Sequence, residues 1–324
     1  MMINNRTVFV YFMAVTYLCT HFFVTLTSLD FQTNSKLHGG KNVLNFRSKR
    51  LLNFNNEENL LNKLKRSSRI RLDILPNQSI QIDRPSPNKK YNLKSSSNFY
   101  SQILQDTILV ALLNSSYLNS INASHDGLFV EAGAYDGETH SNTLYLEKNL
   151  NWTGLLIEPS AENYKNLLAV NRRSYSVNSC LSSTNQTDIS SFIEAGPFGT
   201  TVQKSSASTY QVKCFPLAKI LETFLDLIGK ENKVVDYMSI DIEGNERSVI
   251  EHFDWNRFTF KLLNIEYNQD KELYKWIVDF MGKIGYKETV FDDVWYQDVY
   301  LAHQSIYDKL NLNKTKVSNY KNLN

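Results

Sequence analysis

The chain has 324 residues and a formal net charge of +2, with 21% charged and 42% hydrophobic residues. That length suits one large domain or two modest ones, and a charge so near zero gives no footing for nucleic-acid binding. The balance conceals an asymmetry: residues 30–98 carry 14 Lys and Arg against 5 Asp and Glu, whereas the chain from Phe99 onward carries 20 against 28.

After a short tail (residues 1–6), "TVFVYFMAVTYLCTHFFVTLTSL" (residues 7–29) contains no Asp, Glu, Lys or Arg. A bilayer core takes ~20 apolar residues in a helix, and the apolar part of a signal peptide ~7–15. The length therefore predicts an uncleaved transmembrane signal-anchor, although the small residues at Thr27 and Ser28 would suit cleavage. Flanking charge orients it weakly: only Arg6 precedes the span, while Lys36, Lys41 and Arg47 follow, which taken literally puts the body in the cytoplasm. Residues 30–98 are rich in Asn, Ser, Lys and Arg and cannot bury enough apolar surface to offset their ordering entropy, so a disordered basic stalk is expected. "RSKR" at residues 47–50 resembles a site for a secretory-pathway processing protease. Sequons at Asn77, Asn114, Asn122, Asn151, Asn185 and Asn313 carry little weight in so Asn-rich a chain. Cys19 falls in the span, leaving Cys180 and Cys214 as the body's only pair. They are compatible with one disulfide in an oxidising compartment or with two buried thiols.

From Phe99 the pattern alternates strand and helix. An opening helix is read from Ile103, Leu104, Ile108, Leu109 and Leu112 at helical spacing. Then follow a strand "GLFVEAGA" (127–134), a helix "SNTLYLEKNL", a strand "TGLLIEP" (153–159), a helix "AENYKNLLAVNRR" and a third strand around residues 174–182. A polar stretch from Ser183 to Tyr210 reads as an irregular or edge-strand excursion. "QVKCFPLAKILETFLDLIG" gives a short strand and a helix with Gly229 as its C′ residue. "VVDYMSIDIEG" is the fourth core strand and "FKLLNIEYN" (260–268) the fifth, each followed by a helix. "KETVFDDVWYQDVYLAHQ" closes with an antiparallel pair, and residues 310–324 read as a disordered tail. The spacing predicts an α/β fold with a mostly parallel sheet and covered faces over residues 99–309.

In such a sheet ligands bind beyond the carboxyl ends of the strands where the order reverses. The first turn, "EAGAYDGE", fails the dinucleotide pattern G-x-G-x-x-G, because Tyr135 and Glu138 occupy the second and third glycine positions. Glu131, Asp136 and Glu138 would also repel a pyrophosphate. They suit a cofactor that carries a sulfonium and an ammonium and no phosphate, such as S-adenosylmethionine, with Gly133 and Gly137 letting the backbone pass close. Glu158, 21 residues after Gly137 at the end of the second strand, stands where a ribose acceptor is needed.

"YSQ…QD", "FVEAGAYDGE…SNTLYLEK", "NWTGLLIEP", "CLS", "DYMSIDIEGNE" and "LNIEY" together resemble, in order and spacing, the FkbM-type methyltransferase domain. The anchored N-terminus resembles the animal branch typified by the protein Star, a type II membrane protein linked to export of growth-factor precursors. The resemblance implies a class I methyltransferase Rossmann-like fold and O-methylation with S-adenosyl-L-methionine. It places Glu131, Gly133, Ala134, Asp136 and Gly137 in the methionine-side loop, Glu158 at the ribose, and Ser141 to Thr143 at the start of the helix beneath. It also implies a body in the lumen of the endoplasmic reticulum or Golgi, against the charge count. One departure stands out: Leu217 is followed by Ala218 where the microbial pattern often has an aspartate.

At the fourth strand, alternation puts Met238, Ile240 and Ile242 on one face and Ser239, Asp241 and Glu243 on the other, if the strand stays regular to its end. Methyl transfer requires removal of the acceptor's proton, which a carboxylate assists, so Asp241 and Glu243 are the candidate catalytic residues, as base or as grip on the acceptor. Paired oxygen ligands also suit Mg²⁺ or Ca²⁺, but with only carboxylates to count we expect no metal. In the structural reading Glu246 supports the next helix and the other acids bond loop amides. Glu266 is the one further strand-end acid, and His140 follows the cofactor loop. The expectation is a membrane-anchored O-methyltransferase acting on a hydroxyl of a glycan or small molecule. The alternative is a non-catalytic Star-like secretory-pathway factor that binds client membrane proteins.

Overall fold

The computed structural model describes residues 79–113, 127–202, 209–290 and 297–310, all within the compact unit that runs from Arg66 to the C-terminus. The apolar segment 7–29, the arm up to residue 78, the "RSKR" tetrapeptide, the tail from residue 311 and the sequons at Asn77, Asn114, Asn122 and Asn313 lie outside the described residues. Among the described residues no helix is long and apolar enough to cross a membrane.

The sheet forms where the sequence has its densest apolar runs. Strand β1 (Leu128–Ala132) is buried along its whole length, and β2 (Thr153–Glu158) is buried at all but its first residue. A strand with no solvent face must be covered on both sides. Successive residues of β1 accordingly enter different clusters. Leu128, Val130 and Ala132 pack with helices α4 (Leu217–Leu227), α5 (Glu246–His252) and α6 (Lys271–Lys283). Phe129 packs with α1 (Gln105–Leu113), α2 (Leu144–Leu150) and α3 (Ala161–Val170) through Leu109, Leu146 and Leu167. Phe224 of α4, with no solvent exposure, contributes on the order of 2–3 kcal/mol by burial alone.

With β3 (Tyr175–Asn178), β8 (Val234–Ile240), β9 (Thr259–Glu266), β10 (Tyr286–Val290) and β11 (Asp298–His303), the strand order is β10-β11-β9-β8-β1-β2-β3. Strands β3, β2, β1, β8 and β9 are parallel neighbours, and β11 runs antiparallel between β9 and β10. The chain builds outward from β1 in one direction and then, from β8, in the other. The order thus reverses between β1 and β8, leaving a crevice outside their carboxyl ends. Helix α4 ends in a Schellman motif, with Gly229 N–H bonding Asp226 O and Lys230 N–H bonding Leu225 O, and Gly229 takes the C′ role expected of it.

Two expectations need correction. The third strand does not run through residue 182: it stops at Asn178, and β4 (Cys180–Leu181) leaves to join β5 (Asp188–Ile193), β6 (Thr200–Val202) and β7 (Thr209–Phe215) in a second sheet of order β4-β7-β5-β6. The break is held by Ser179, whose hydroxyl donates to Lys213 O, and by Asn178, whose amide donates to Glu158 O and Pro159 O. The polar excursion is therefore a small sheet. Its few apolar residues, such as the buried Phe192, do not alternate along enough residues to announce it. Cys180 and Cys214 face each other across β4 and β7 with Cα atoms 4.4 Å apart and form a disulfide. Closing a loop of 34 residues in the unfolded chain contributes about 4 kcal/mol in the chain-entropy account.

The second correction concerns the arm. Residues 79–98, expected as solvated stalk, lie on the body. Asp83 and Ser176 exchange backbone hydrogen bonds, Asn92 N–H bonds Val170 O, Arg173 donates to the Tyr91 hydroxyl, and Ile80 is buried in the larger cluster. The side chains of this strap are mostly polar, but its backbone donors are used, a property that composition does not report.

Candidate cofactor and acceptor site

The first turn is built by its acids. Glu131, at the end of β1 and almost fully buried, accepts from Asn142 N (2.6 Å), Thr143 Oγ1 (2.5 Å) and Ser141 Oγ (3.0 Å), so it pins the "SNT" turn that opens α2. Asp136 accepts from Thr139 N (2.7 Å), Thr139 Oγ1 (2.9 Å) and Glu138 N (3.0 Å), with Lys94 Nζ at 3.5 Å. Glu138 accepts from the strap, at Ser95 N (2.6 Å) and Lys94 N (2.8 Å). Beneath them Arg172 donates to Gly137 O (2.7 Å), Glu147 (2.9 Å), Ser141 Oγ (3.2 Å) and Thr143 Oγ1 (3.2 Å), in an ion pair whose side chains are each 1% exposed.

The acids grouped by sequence around a cation are thus committed to N–H and O–H groups of the chain. Gly133 and Glu158 line one cleft, and Gly133 and Glu131 an adjoining recess, whereas Ala134, Asp136 and Gly137 line neither. Gly137 (φ +79°) instead lets the turn close on Leu167. Gly133 has a stricter reason: at φ +87°, a Cβ there would lie 1.7 Å from the carbonyl oxygen of Asp241.

The cleft encloses about 550 Å³, part of it open to solvent, at the crevice between β1 and β8. Glu158 is its buried carboxyl group. Its oxygens accept from Tyr135 N (2.8 Å) and Ser160 N (2.9 Å), and burial pushes its carboxyl up to about 7. Ile157, Pro159, Leu181 and Phe192 supply apolar wall, and Gly196 and Pro197 the facing edge. The turn at residues 196–198 brings Pro197 and Phe198 to the adjoining recess, where they meet Gln102, Gln105, His140 and Asn142; the "GPFG" in the sequence was the available signal for it. Tyr135, Asp241 and Glu243 border both spaces.

Strand β8 ends at Ile240, so Glu243 is not delivered by alternation. Asp241 N still bonds Ala132 O, after which Glu243 (φ +57°) and Gly244 (φ +102°) turn through the left-handed region. Glu246 holds that turn by accepting from Ile242 N (2.9 Å) and Gly244 N (3.0 Å), the bonding to loop amides that the structural reading had given to the other acids. The second sheet hooks on as well, with Thr200 Oγ1 donating to Glu243 O and Asn245 Nδ2 to Thr201 Oγ1. The carboxylates of Asp241, Glu243 and Glu266 converge, each offering an oxygen within 4.8 Å of the others. Burial raises all three. The negative charge of Asp241 and Glu243 pushes Glu266 up further, and Glu243, facing Asp241 and Glu246, is pushed up to about 7.

A pH dependence follows. A carboxyl whose folded pKa is raised contributes stability that is fully present below its unfolded value and lost as pH rises through the folded value. The ligand-free chain should therefore have a lower thermal midpoint at about pH 8 than at about pH 5.5, and Glu158 alone, raised from 4.5 to about 7, accounts for ~2 kcal/mol of that difference. A flat profile of midpoint against pH would contradict it.

No curated protein matches the chain. Among solved structures, a precorrin-6y C5,15-methyltransferase from Geobacter metallireducens is similar at 11% identity and TM-score 0.30, covering 67% of this chain and 95% of that one. The fibrillarin pre-rRNA processing protein of Methanococcus jannaschii is similar at 11% identity and TM-score 0.34, covering 70% and 99%. The stretch that bears the site, residues 131–288, from the acid that pins the first turn to the last strand pair, matches the family described as the methyltransferase FkbM domain.

Proposed function

We propose that this protein binds S-adenosylmethionine in the cleft at the carboxyl ends of β1, β2 and β8 and methylates a hydroxyl oxygen. The observation that carries the reading is the meeting of Glu158 and Gly133 at that cleft, within the matched stretch. The residues fit the cofactor. Two N–H groups use part of the accepting capacity of Glu158, and a carboxylate has about four lone-pair sites, which leaves room for both ribose hydroxyls. The apolar wall at Ile157, Leu181 and Phe192 suits a flat base, and Gly133, whose missing Cβ makes room for the Asp241 carbonyl, keeps β1 and the end of β8 close together at the cleft.

When bound, the cofactor supplies a methyl group already activated on a sulfonium. Asp241 or Glu243, where the two spaces meet, accepts the acceptor's proton, and a carboxyl raised by burial is the better base near neutral pH. Glu131 and Arg172 act through the turn they hold. Ala218, the position where an acid is often found, lies on the first turn of α4 in a separate hollow with Lys219, Glu222 and Arg257, so its lack of a carboxylate takes nothing from the cleft. We place the body on the lumenal side of a secretory-pathway membrane, on the strength of the apolar segment 7–29, the Star-like arrangement and the Cys180–Cys214 disulfide.

Calorimetric titration of the full chain with S-adenosylmethionine tests this. Saturable binding is expected, and Glu158→Ala should weaken it by ~1–3 kcal/mol, the loss for a hydrogen bond to a charged group. Absence of heat at millimolar cofactor would refute the enzyme reading and leave the client-binding factor as the alternative.

A further inference from the structure

The acids at the ends of β8 and β9 are more than the proposed methyl transfer needs. One carboxylate suffices to take a proton, yet Asp241, Glu243 and Glu266 each present an oxygen within 4.8 Å of the others. Among the described residues no Lys or Arg forms an ion pair with any of them. Two oxygens bound to one cation at ~2.4 Å lie no more than ~4.8 Å apart, a limit that all three pairs of carboxylates meet.

An independent observation comes from the other side of the recess. Asn142 is 5% exposed, and its amide nitrogen is committed to Ser239 Oγ at 2.9 Å. Its Oδ1 is buried and has no hydrogen-bond partner, and Asn142 lines the same recess as Asp241 and Glu243. A buried carbonyl oxygen without a donor costs on the order of 1–3 kcal/mol. Such a group, on a recess that Asp241 and Glu243 also line, adds a neutral oxygen to those of the carboxylates.

We propose that Asp241, Glu243 and Glu266, with Asn142 Oδ1 beside them, form a site for one hard divalent cation of the Mg²⁺, Mn²⁺ or Ca²⁺ class. Oxygen donors with no His or Cys among them select that class over zinc or copper. The proposal departs from the expectation of no metal, which rested on there being only carboxylates to count. The cation site stands on geometry alone. Its use rests on the reading given under Proposed function: the ion would hold the acceptor's hydroxyl at the border of the two spaces, which favours an acceptor with two adjacent hydroxyls, as on a sugar ring.

The test is titration of the full chain with Mn²⁺, read by electron paramagnetic resonance of the free ion, beside calorimetry with S-adenosylmethionine. One Mn²⁺ per chain with a Kd below about 1 mM is expected. Glu266→Gln should weaken it at least tenfold while cofactor affinity changes less than about threefold, because Glu266 does not line the cofactor cleft. If circular dichroism shows that variant to be unfolded, Asp241→Asn is read the same way for Mn²⁺. Failure of the wild-type chain to bind Mn²⁺, or binding that Glu266→Gln leaves unchanged, overturns the site. Cofactor binding without Mn²⁺ binding overturns this inference and leaves the methyltransferase reading intact; Mn²⁺ binding without cofactor binding does the reverse.

Discussion

Arg172→Met should cost the folded state ~3–5 kcal/mol, the usual penalty for removing one partner of a buried ion pair. The guanidinium is the only cation paired with Glu147 among the described residues, both side chains being 1% exposed, and it also attracts the fully buried Glu131. Its loss leaves the buried carboxylates of Glu131 and Glu147 without that cation and frees Gly137 O. The measurement is urea unfolding followed by circular dichroism. Lys94→Ala is the control: the Lys94 side chain is 76% exposed and 3.5 Å from Asp136, so its removal should cost less than ~1 kcal/mol. Equal effects of the two would mean that Arg172 does not organise the turn.

Gly133→Ala is the second large effect. The methyl group would sit 1.7 Å from the Asp241 carbonyl oxygen, and the φ of +87° is one that L residues rarely adopt. Neither fault can be relieved by a rotamer, since the obstacle is backbone at the carboxyl ends of β1 and β8. A loss of at least ~4 kcal/mol is expected, together with loss of cofactor binding in whatever folded fraction remains. Gly229→Ala offers the comparison. There φ is +68° but nothing lies within 4 Å of the added methyl, so the cost should stay near ~1 kcal/mol. The pair separates conformational strain from collision.

What could be read from the sequence was what depends on local pattern. The apolar runs of β1, β2, β8 and β9, the helices between them and the C′ glycine at 229 all declare themselves within a dozen residues. So did the position of Glu158, because a strand end can be counted. What could not be read depends on partners far along the chain. Glu138 answers to Ser95, 43 residues earlier, and Glu147 to Arg172, so acids that looked available for a ligand were already in use. Glu243 was assigned to the right region for the wrong reason: a left-handed turn, not strand alternation, carries it there. Glu266 was noted as an isolated strand-end acid because only the pairing of β8 with β9 brings it beside Asp241.

The strap from residue 79 has a bearing on proteolysis. Its hydrogen bonds to Glu138 and its pairing with Ser176 make residues 79–98 part of the folded domain, while the "RSKR" sequence lies upstream of Ser79. Cleavage after Arg50 would therefore detach the body from the apolar segment with the first turn still fully bonded. A truncation beginning at Phe99, by contrast, would strip Glu138 of both its donors and report on a damaged turn.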